Sequence, residues 1–228
     1  MIENKKTFSL GFAMMVAFIV VLVIFFMPVF NGHNGLNYLD SLYNSISKGS
    51  AYYVPKLKDE VQPFVGKTVD LNLTMKSAEQ AQQTALQFQK TGATAEANGE
   101  NLKVSGDLGQ ILYGILEDSD AMYFNDSQKL VDKYGFEGRQ VLFNWWSAIT
   151  AMEKDLNQQK NFKEAKIAAT VGKKAVEISY NYYKIEPQKI SDKYGIVIFS
   201  LVFYVVYTLW YGFGIMYMFE GWGLRLEH

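Results

Sequence analysis

The sequence lacks cysteine altogether and has only two histidines, His33 and His228. Disulfides, thiolate nucleophiles and cysteine-ligated zinc or iron–sulfur sites are therefore excluded. His33 is the single histidine away from the C-terminus, and one histidine cannot complete a metal site or a catalytic triad. It is either an ordinary interfacial residue or a ligand that the chain shares with a partner's cofactor. We expect no catalytic residues, no cofactor of the chain's own and no metal site.

An excess of charge of either sign is also missing. The formal net charge is −1, and residues 31–193 carry 19 Lys and Arg against 20 Asp and Glu. Nucleic-acid binding needs a concentrated positive face, so the balance argues against a nucleic acid as a partner. The one acidic cluster, Glu117-Asp118-Ser119-Asp120, lacks the alternating ligands and the glycine of a calcium loop. We interpret it as a solvated turn between two helices.

Two long uncharged apolar segments are present, at residues 8–30 and 195–219. Each exceeds the ~20 residues that a helix needs to cross the roughly 30 Å hydrocarbon core of a bilayer. The first is too long for the apolar region of a cleaved signal peptide, and no small-x-small cleavage site follows it. We therefore predict two transmembrane helices. The organisation would be a cytoplasmic N-terminus (1–7), the two spans, an intervening domain (31–193) and a cytoplasmic C-terminus (220–228).

The distribution of lysine sets the expected orientation. Lys5 and Lys6 precede the first span, and no lysine or arginine follows it until Lys48. By the positive-inside rule the N-terminus is cytoplasmic and the domain extracytoplasmic, which predicts a two-pass protein of the inner (cytoplasmic) membrane. The charges beside the second span favour the opposite orientation weakly: Lys184, Lys189, Lys193 and Arg225. The short predicted cytoplasmic segments leave no room for a signalling module.

Small residues recur at helical spacing in both spans. Ser9, Ala13 and Ala17 are four residues apart in the first span, a pattern that lets helices approach closely. The second span has a similar row: Ser200, Thr208 and Gly212, with Tyr204 between them. The two rows would pack on each other or on another protein, unless they reflect only the abundance of small residues in membrane helices.

Three tyrosines share one face near the middle of the second span, Tyr204, Tyr207 and Tyr211. A hydroxyl group at the centre of a bilayer needs an acceptor, and the first span offers only Thr7 and Ser9, near its cytoplasmic end. Helix carbonyls or another subunit would supply the acceptors. Alternatively, the tyrosine face borders a lipid or a quinone.

The intervening region predicts an α+β fold that is mostly helical. Residues 69–75 alternate as in a half-buried strand, Ser77 caps a helix, and Asn98-Gly99 signals a hairpin between two further strands. This order is a βαββ unit, as at the front of a ferredoxin-like layer, although the closing αβ pair is not evident. Helices are then predicted at residues 108–116, 121–134, 137–159 and 162–184. The fold class is a pair of terminal spans with this domain inserted between them.

Aromatic residues concentrate at Trp145-Trp146 and at Tyr182-Tyr183. Neighbouring residues on a helix cannot all face one core, so one member of each pair should reach the surface. A protein interface or the edge of the core is a simpler interpretation than an aromatic ligand cleft. We include both tryptophans among the candidate interface residues.

The predicted function is that of a non-catalytic accessory or assembly subunit of a larger membrane complex. Its partners would be the lipid bilayer and other membrane subunits, or further copies of the chain. The candidate interface consists of Ser9, Ala13, Ala17, Tyr204, Tyr207, Thr208, Tyr211, Gly212, Trp145 and Trp146. Two alternatives are an extracytoplasmic ligand- or lipid-binding module of a transporter and a homo-oligomeric channel lined by the second span.

Overall fold

Helices dominate the structure, a computed structural model that describes residues 2–30 and 32–224. The helices are α1 (Lys5–Phe26), α2 (Gly35–Ser50), α3 (Val54–Val61), α4 (Ala78–Lys90), α5 (Leu108–Tyr123), α6 (Ser127–Tyr134), α7 (Gly138–Gln158), α8 (Phe162–Val171), α9 (Glu177–Asn181) and α10 (Tyr194–Gly221). The strands are β1 (Thr68–Thr74), β2 (Thr94–Asn98) and β3 (Asn101–Asp107). The chain divides into two units, residues 1–46 with 188–228 and residues 47–187. Arg225 and the rest of the predicted C-terminal segment beyond residue 224 lie outside the described residues.

The two terminal helices are long and apolar enough to cross a membrane. They contain 22 and 28 residues, and in the most apolar 18 residues of each helix only 11% (α1) and 6% (α10) are buried inside the protein. Most residues of both helices therefore keep part of their apolar surface exposed, unlike those of a core helix in a soluble protein.

Local chemistry fixes the ends of α1. The Asn4 side chain accepts hydrogen bonds of 3.2 Å from the backbone nitrogens of Lys6 and Thr7 at the N-terminus. The helix ends at Phe26 because Pro28 restricts Met27 to extended backbone, with ψ of 152°. The predicted segment 8–30 is thus helical only as far as Phe26, whereas the predicted segment 195–219 lies wholly within α10.

The second unit contains the predicted βαββ order. β1 and β2 both pair antiparallel with β3, which lies between them in the order β1-β3-β2. β1 and β2 are therefore parallel to each other and joined through α4, so the unit is a split βαβ motif. Ser77 caps α4 as predicted, accepting a 3.1 Å hydrogen bond from the Gln80 nitrogen. No fourth strand follows among the described residues, so the closing αβ pair of a ferredoxin-like layer is missing from them.

The predicted hairpin is confirmed, with its turn displaced by one residue. Asn98 pairs with Asn101, so Gly99 and Glu100 form the two-residue loop. Gly99 has a φ of 59°, and Glu100 has no positive φ. A glycine with positive φ at the first loop position is the arrangement of a type II′ turn.

One face of the sheet is buried beneath α4, α5 and α7, and side chains cover its outer edges. The Gln159 amide donates a 2.7 Å hydrogen bond to the Asp70 carbonyl, and Asp155 accepts one of 3.1 Å from the Asn72 nitrogen. On β2 the Gln89 amide donates to the Ala95 carbonyl at 2.9 Å. These contacts occupy backbone groups to which another strand would pair.

Three of the predicted helices have other bounds in the structure. The predicted helix 121–134 is interrupted at residues 124–126, between the end of α5 and the start of α6. α5 continues to Tyr123, so the acidic cluster 117–120 lies inside a helix and is not a solvated turn. The predicted helix 162–184 is α8 followed by a π-helical segment at Gly172–Val176 and then α9, which ends at Asn181. These differences come from tertiary contacts that the local sequence pattern does not contain.

Candidate functional site

Glycines bring α1 and α10 into close antiparallel contact. A Cβ atom on Gly11 would lie 2.7 Å from both the Gly214 carbonyl oxygen and the Met218 nitrogen. A Cβ atom on Gly221 would lie 2.5 Å from the Phe8 nitrogen. No side chain fits at these two positions without moving backbone, so glycine sets the distance between the helices.

Aromatic rings fill the rest of this helix pair. The buried Phe18 ring lies 5.2 Å from the Tyr207 ring and 5.3 Å from the Tyr211 ring, measured between centroids. Farther along, the Phe25 and Phe203 rings stack at 6.0 Å. Of the three predicted tyrosines, Tyr207 is therefore the one most engaged within the pair.

The hydroxyl groups of Tyr204, Tyr207 and Tyr211 form no hydrogen bond with any described residue. Tyr204 is 64% exposed and Tyr211 is 45% exposed. The Thr208 hydroxyl donates to the Tyr204 carbonyl at 2.7 Å, so it is satisfied within its own helix. Two tyrosines thus present unpaired polar groups on the open side of α10.

The predicted rows of small residues lie outside the α1–α10 contact. Ser9, Ala13 and Ala17 are all exposed, and a Cβ atom on Gly212 would meet no atom within 4 Å. The alternative in which the two rows pack on each other is therefore not the arrangement in this structure. Small residues that the sequence pattern did not select, Gly11 among them, form the contact instead.

Ser200 is the exception in its row, because it is buried. Its hydroxyl donates to the Val197 carbonyl at 2.8 Å and lies 2.7 Å from the Tyr43 hydroxyl. Since the single Ser200 proton is used on Val197, Tyr43 is the donor in the second bond. This bond connects α2 to α10 within the first unit.

Two apolar clefts of about 340 and 400 Å³ border the helix pair. Both are lined by Phe25, Leu39 and Phe203, and the larger one also by Tyr204 and Tyr207. Apolar grooves of this kind accept hydrocarbon chains. Contact of the tyrosine face with a lipid or a quinone stays a prediction.

His33 lies in a tight turn after α1, where its backbone forms two 3.0 Å hydrogen bonds with Phe30. The side chain is exposed. Within residues 2–30 and 32–224, no group of three or more His, Asp and Glu residues could hold a metal ion. A ligand role shared with a partner's cofactor stays a prediction.

The two predicted tryptophans have different environments. Trp145 is fully buried, and its indole Nε1 donates a 2.8 Å hydrogen bond to Asp118. Trp146 is 37% exposed, and its Nε1 donates a 3.0 Å hydrogen bond to Glu177. The prediction that one of the pair reaches the surface is confirmed, and the exposed member lines a cleft of about 300 Å³.

Asp118 is the centre of a buried polar cluster that sequence reasoning missed. Besides Trp145, it accepts hydrogen bonds from Lys133 at 2.8 Å and from Tyr134 at 2.6 Å. Burial, together with the negative charge of Asp118, raises the pKa of Tyr134 well above its usual range. The hydrogen bonds of this cluster join α5, α6 and α7, so the cluster stabilises the core.

A second missed cluster surrounds Lys48, which is completely buried. Its ammonium group donates to the carbonyl oxygen of Ile185 and, at 3.2 Å, to the side-chain oxygen of Asn125. The Tyr123 hydroxyl donates to the Lys48 carbonyl at 2.6 Å. Burial lowers the pKa of Lys48, with the charge of Glu186 acting in the opposite direction. The cluster ties together the two ends of the second unit, where the chain enters and leaves it.

Comparison with known proteins adds no family assignment. The chain matches no protein-family model, and neither a curated protein nor a solved structure is detectably similar to it.

Proposed function

We propose that α1 and α10 cross a membrane and that the chain is a non-catalytic accessory or assembly subunit of a larger membrane complex. In this proposal the unit 47–187 is extracytoplasmic and the membrane is the inner (cytoplasmic) one. Lys5 and Lys6 before α1 support that orientation through the positive-inside rule. The low burial of both helices supports their contact with lipid or with other subunits.

The observation that carries the proposal is the open tyrosine face of α10. Tyr204 and Tyr211 lie near the middle of a helix of 28 residues, with hydroxyls that have no hydrogen-bond partner among the described residues. Hydrocarbon offers no acceptor, and an unsatisfied polar group there costs several kcal/mol by transfer measurements. Acceptors on a neighbouring subunit would remove this cost.

Surface shape supports the same conclusion. The α1–α10 contact uses Gly11, Gly214 and Gly221, so the exposed row of Ser9, Ala13 and Ala17 is left free. A row of small residues gives an incoming helix a shallow groove in which backbones approach closely. Gly212 provides a similar open position beside the tyrosines.

Site-specific photocrosslinking in native membranes tests the proposal. A benzoylphenylalanine in place of Tyr204 should form an adduct with a membrane protein, identified by mass spectrometry. Leu209 is the matched control, since it is 54% exposed but lies about 140° around the helix from Tyr204. An adduct of twice the chain's mass would indicate a homo-oligomer, whereas an adduct with another protein would identify a hetero-complex. Equal lipid-only labelling at both positions, together with a monomer in mild detergent, would refute the proposal.

The orientation is tested separately, and the absence of native cysteine makes this simple. A single cysteine in place of Glu96, which is exposed on the sheet, should react with a membrane-impermeant maleimide in intact spheroplasts. A cysteine in place of Lys5 should react only after lysis. The reverse pattern would place the unit 47–187 in the cytoplasm.

A further inference from the structure

A cleft beside Trp146 combines aromatic rings with a carboxylate that forms no ion pair with any described residue. It lies between α7 and α9 and is lined by Phe143, Trp146, Glu177, Tyr180 and Asn181. We call it the Trp146 cleft. Its volume of about 300 Å³ is at the lower end of the range for small-molecule sites. All five residues belong to the unit 47–187, so the cleft lies within a single unit.

Two helices supply the opposite walls. Phe143 and Trp146 are three residues apart on α7, and their rings lie nearly parallel, at 25° with centroids 6.1 Å apart. Glu177, Tyr180 and Asn181 occupy one face of α9 by the same helical spacing. The cleft is therefore built from side chains on helices and not from a loop.

The π-helical segment Gly172–Val176 sets the direction of the second wall. One additional residue in a helical turn rotates every later side chain by about 100° about the axis. Gly172 permits the segment to lie against α7, because a Cβ atom there would be 2.9 Å from a methyl group of Ile149. Such single π turns inside helices are frequent at functional sites.

Glu177 has no cation of its own. Its carboxylate accepts a 3.0 Å hydrogen bond from the Trp146 indole, and the ion pairs among the described residues do not include it. The residue is half-buried between aromatic side chains. A carboxylate in that environment favours a positive charge beside it.

The rings of the cleft already attract cations on the protein itself. The Arg139 guanidinium lies 4.8 Å from the centroid of Tyr180, and the Lys76 ammonium lies 5.3 Å from the centroid of Phe143. Neither Arg139 nor Lys76 lines the cleft. Tyr180 and Phe143 thus each have one protein cation beside the ring, whereas the lining of the cleft itself includes no basic side chain.

We propose that the Trp146 cleft binds an organic cation of the quaternary ammonium class. Its methyl groups would contact the rings of Phe143, Trp146 and Tyr180, and Glu177 would balance its charge. A neutral aromatic ligand fits less well, because it would bury the Glu177 carboxylate without a counter-charge. A strongly hydrated metal ion also fits less well, because aromatic walls cannot replace its water ligands.

The test uses the full-length chain in nanodiscs of phosphatidylglycerol, a lipid with no ammonium group. The chain has four tryptophans, so indole ¹⁵N–¹H spectra are simple, and a Trp146→Phe variant assigns the relevant signal. Choline chloride should shift the Trp146 signal saturably, with a dissociation constant on the order of 1 mM. The neutral isostere 3,3-dimethylbutan-1-ol and equimolar sodium chloride should produce no saturable shift.

Substitutions separate the proposed contacts from general effects. Glu177→Gln keeps an oxygen for the Trp146 indole but removes the charge, and should weaken choline binding by about tenfold. Glu153→Gln is the matched control, since Glu153 is a half-buried carboxylate on α7 outside the cleft. Phe143→Leu should weaken binding by about fivefold, and Phe162→Leu, at an exposed position elsewhere, should not change it.

A third ligand distinguishes two sources of the same chemistry. If soluble dibutyroyl phosphatidylcholine binds at least as tightly as choline, the ligand is a lipid headgroup; if choline alone binds, it is a free solute. The proposal is overturned if choline and its neutral isostere shift the Trp146 signal equally. An unchanged choline affinity in the Glu177→Gln variant would overturn it as well.

Discussion

The indole nitrogen of Trp145 and the carboxylate of Asp118 form a 2.8 Å hydrogen bond between two buried side chains. The residues belong to α7 and α5, 27 positions apart in the chain. The carboxylate also accepts hydrogen bonds from Lys133 and Tyr134, both on α6. A single buried carboxylate therefore fixes three helices relative to one another, and its charge is balanced by Lys133.

Replacing Asp118 with asparagine should lower the free energy of unfolding by about 3 kcal/mol. The amide keeps the shape of the carboxylate, but its NH2 group must face either the Lys133 donor or the Trp145 and Tyr134 donors, and Lys133 is left without a counter-charge. Urea unfolding of the full chain in detergent, followed by tryptophan fluorescence, measures the loss.

Glu117→Gln is the matched control for this prediction. Glu117 precedes Asp118 on the same helix, is exposed, and has no hydrogen bond or ion pair among the described residues. Its substitution should change the stability by less than about 0.5 kcal/mol. Equal effects of the two substitutions would show that Asp118 acts only through the charge of the cluster.

The Asp118 cluster also marks the limit of what the sequence predicts. Four consecutive polar residues indicate a turn by local pattern, yet the donors that make burial favourable are 15 to 27 positions away. The βαββ order can be predicted from the sequence because its signals are local: strand alternation, the Ser77 cap and the Asn98-Gly99 turn. The π-helical segment that orients Glu177 has no comparable local signal.

The helix pair illustrates the same limit. Sequence spacing identifies which small residues share a face, but the rotation of each helix decides which face meets the other. Gly11 and Gly214 occupy the contact, and the row of Ser9, Ala13 and Ala17 faces outward. The sequence pattern therefore does not predict that Gly11 and Gly214 form the contact within the chain, and the proposed interface of the candidate residues with a partner stays a prediction.

Gly11→Ala should destabilise the helix pair by about 1–3 kcal/mol. The new methyl group would meet two backbone atoms of α10 at 2.7 Å, and backbone cannot rotate away as a side chain can. The thermal midpoint in nanodiscs, followed by circular dichroism, should fall. Gly212→Ala, at the open position of α10, should leave the midpoint of the isolated chain unchanged or raise it slightly, because alanine favours a helix more than glycine does. An equal fall in both variants would mean that the contact of Gly11 with α10 does not decide the effect.

Lys160→Gly should stabilise the second unit by about 0.5–1 kcal/mol. Lys160 has a φ of 64° in the turn that ends α7, where the Asn161 nitrogen bonds the Leu156 carbonyl and the Lys160 nitrogen bonds the Asn157 carbonyl. This pair of bonds is a Schellman motif, whose left-handed position favours glycine. Urea unfolding measures the gain, and an unchanged or lower stability would contradict the prediction.

The same substitution inside a helix should have the opposite sign. Lys166 is exposed in the middle of α8, so Lys166→Gly should cost about 1 kcal/mol. Both variants lose a lysine charge, but only Lys160→Gly removes a side chain from left-handed backbone. A difference in sign between their stability changes therefore reports the backbone effect.

Lys48 should make the stability of the second unit depend on pH in a defined direction. Burial lowers its pKa below the ordinary 10.5, so the folded protein releases this proton at a lower pH than the unfolded chain does. Between those two values the unfolded state holds more protons, and the free energy of unfolding contributed by Lys48 therefore rises with pH. This contribution to the free energy of unfolding is lost as the pH falls through the pKa that Lys48 has in the folded state.

A Lys48→Met variant isolates this contribution. The difference in unfolding free energy, wild type minus variant, should increase as the pH is raised toward 10.5. Tyrosines whose pKa is raised by burial, such as Tyr52 at about 12 and Tyr134, lower the stability above pH 10, but they are present in both proteins and cancel in the difference. Lys166→Met, at an exposed position, should give a difference that does not vary with pH. If the Lys48 difference is equally flat, the buried ammonium group does not change its protonation on unfolding, and the Lys48 cluster is stabilised by its hydrogen bonds alone.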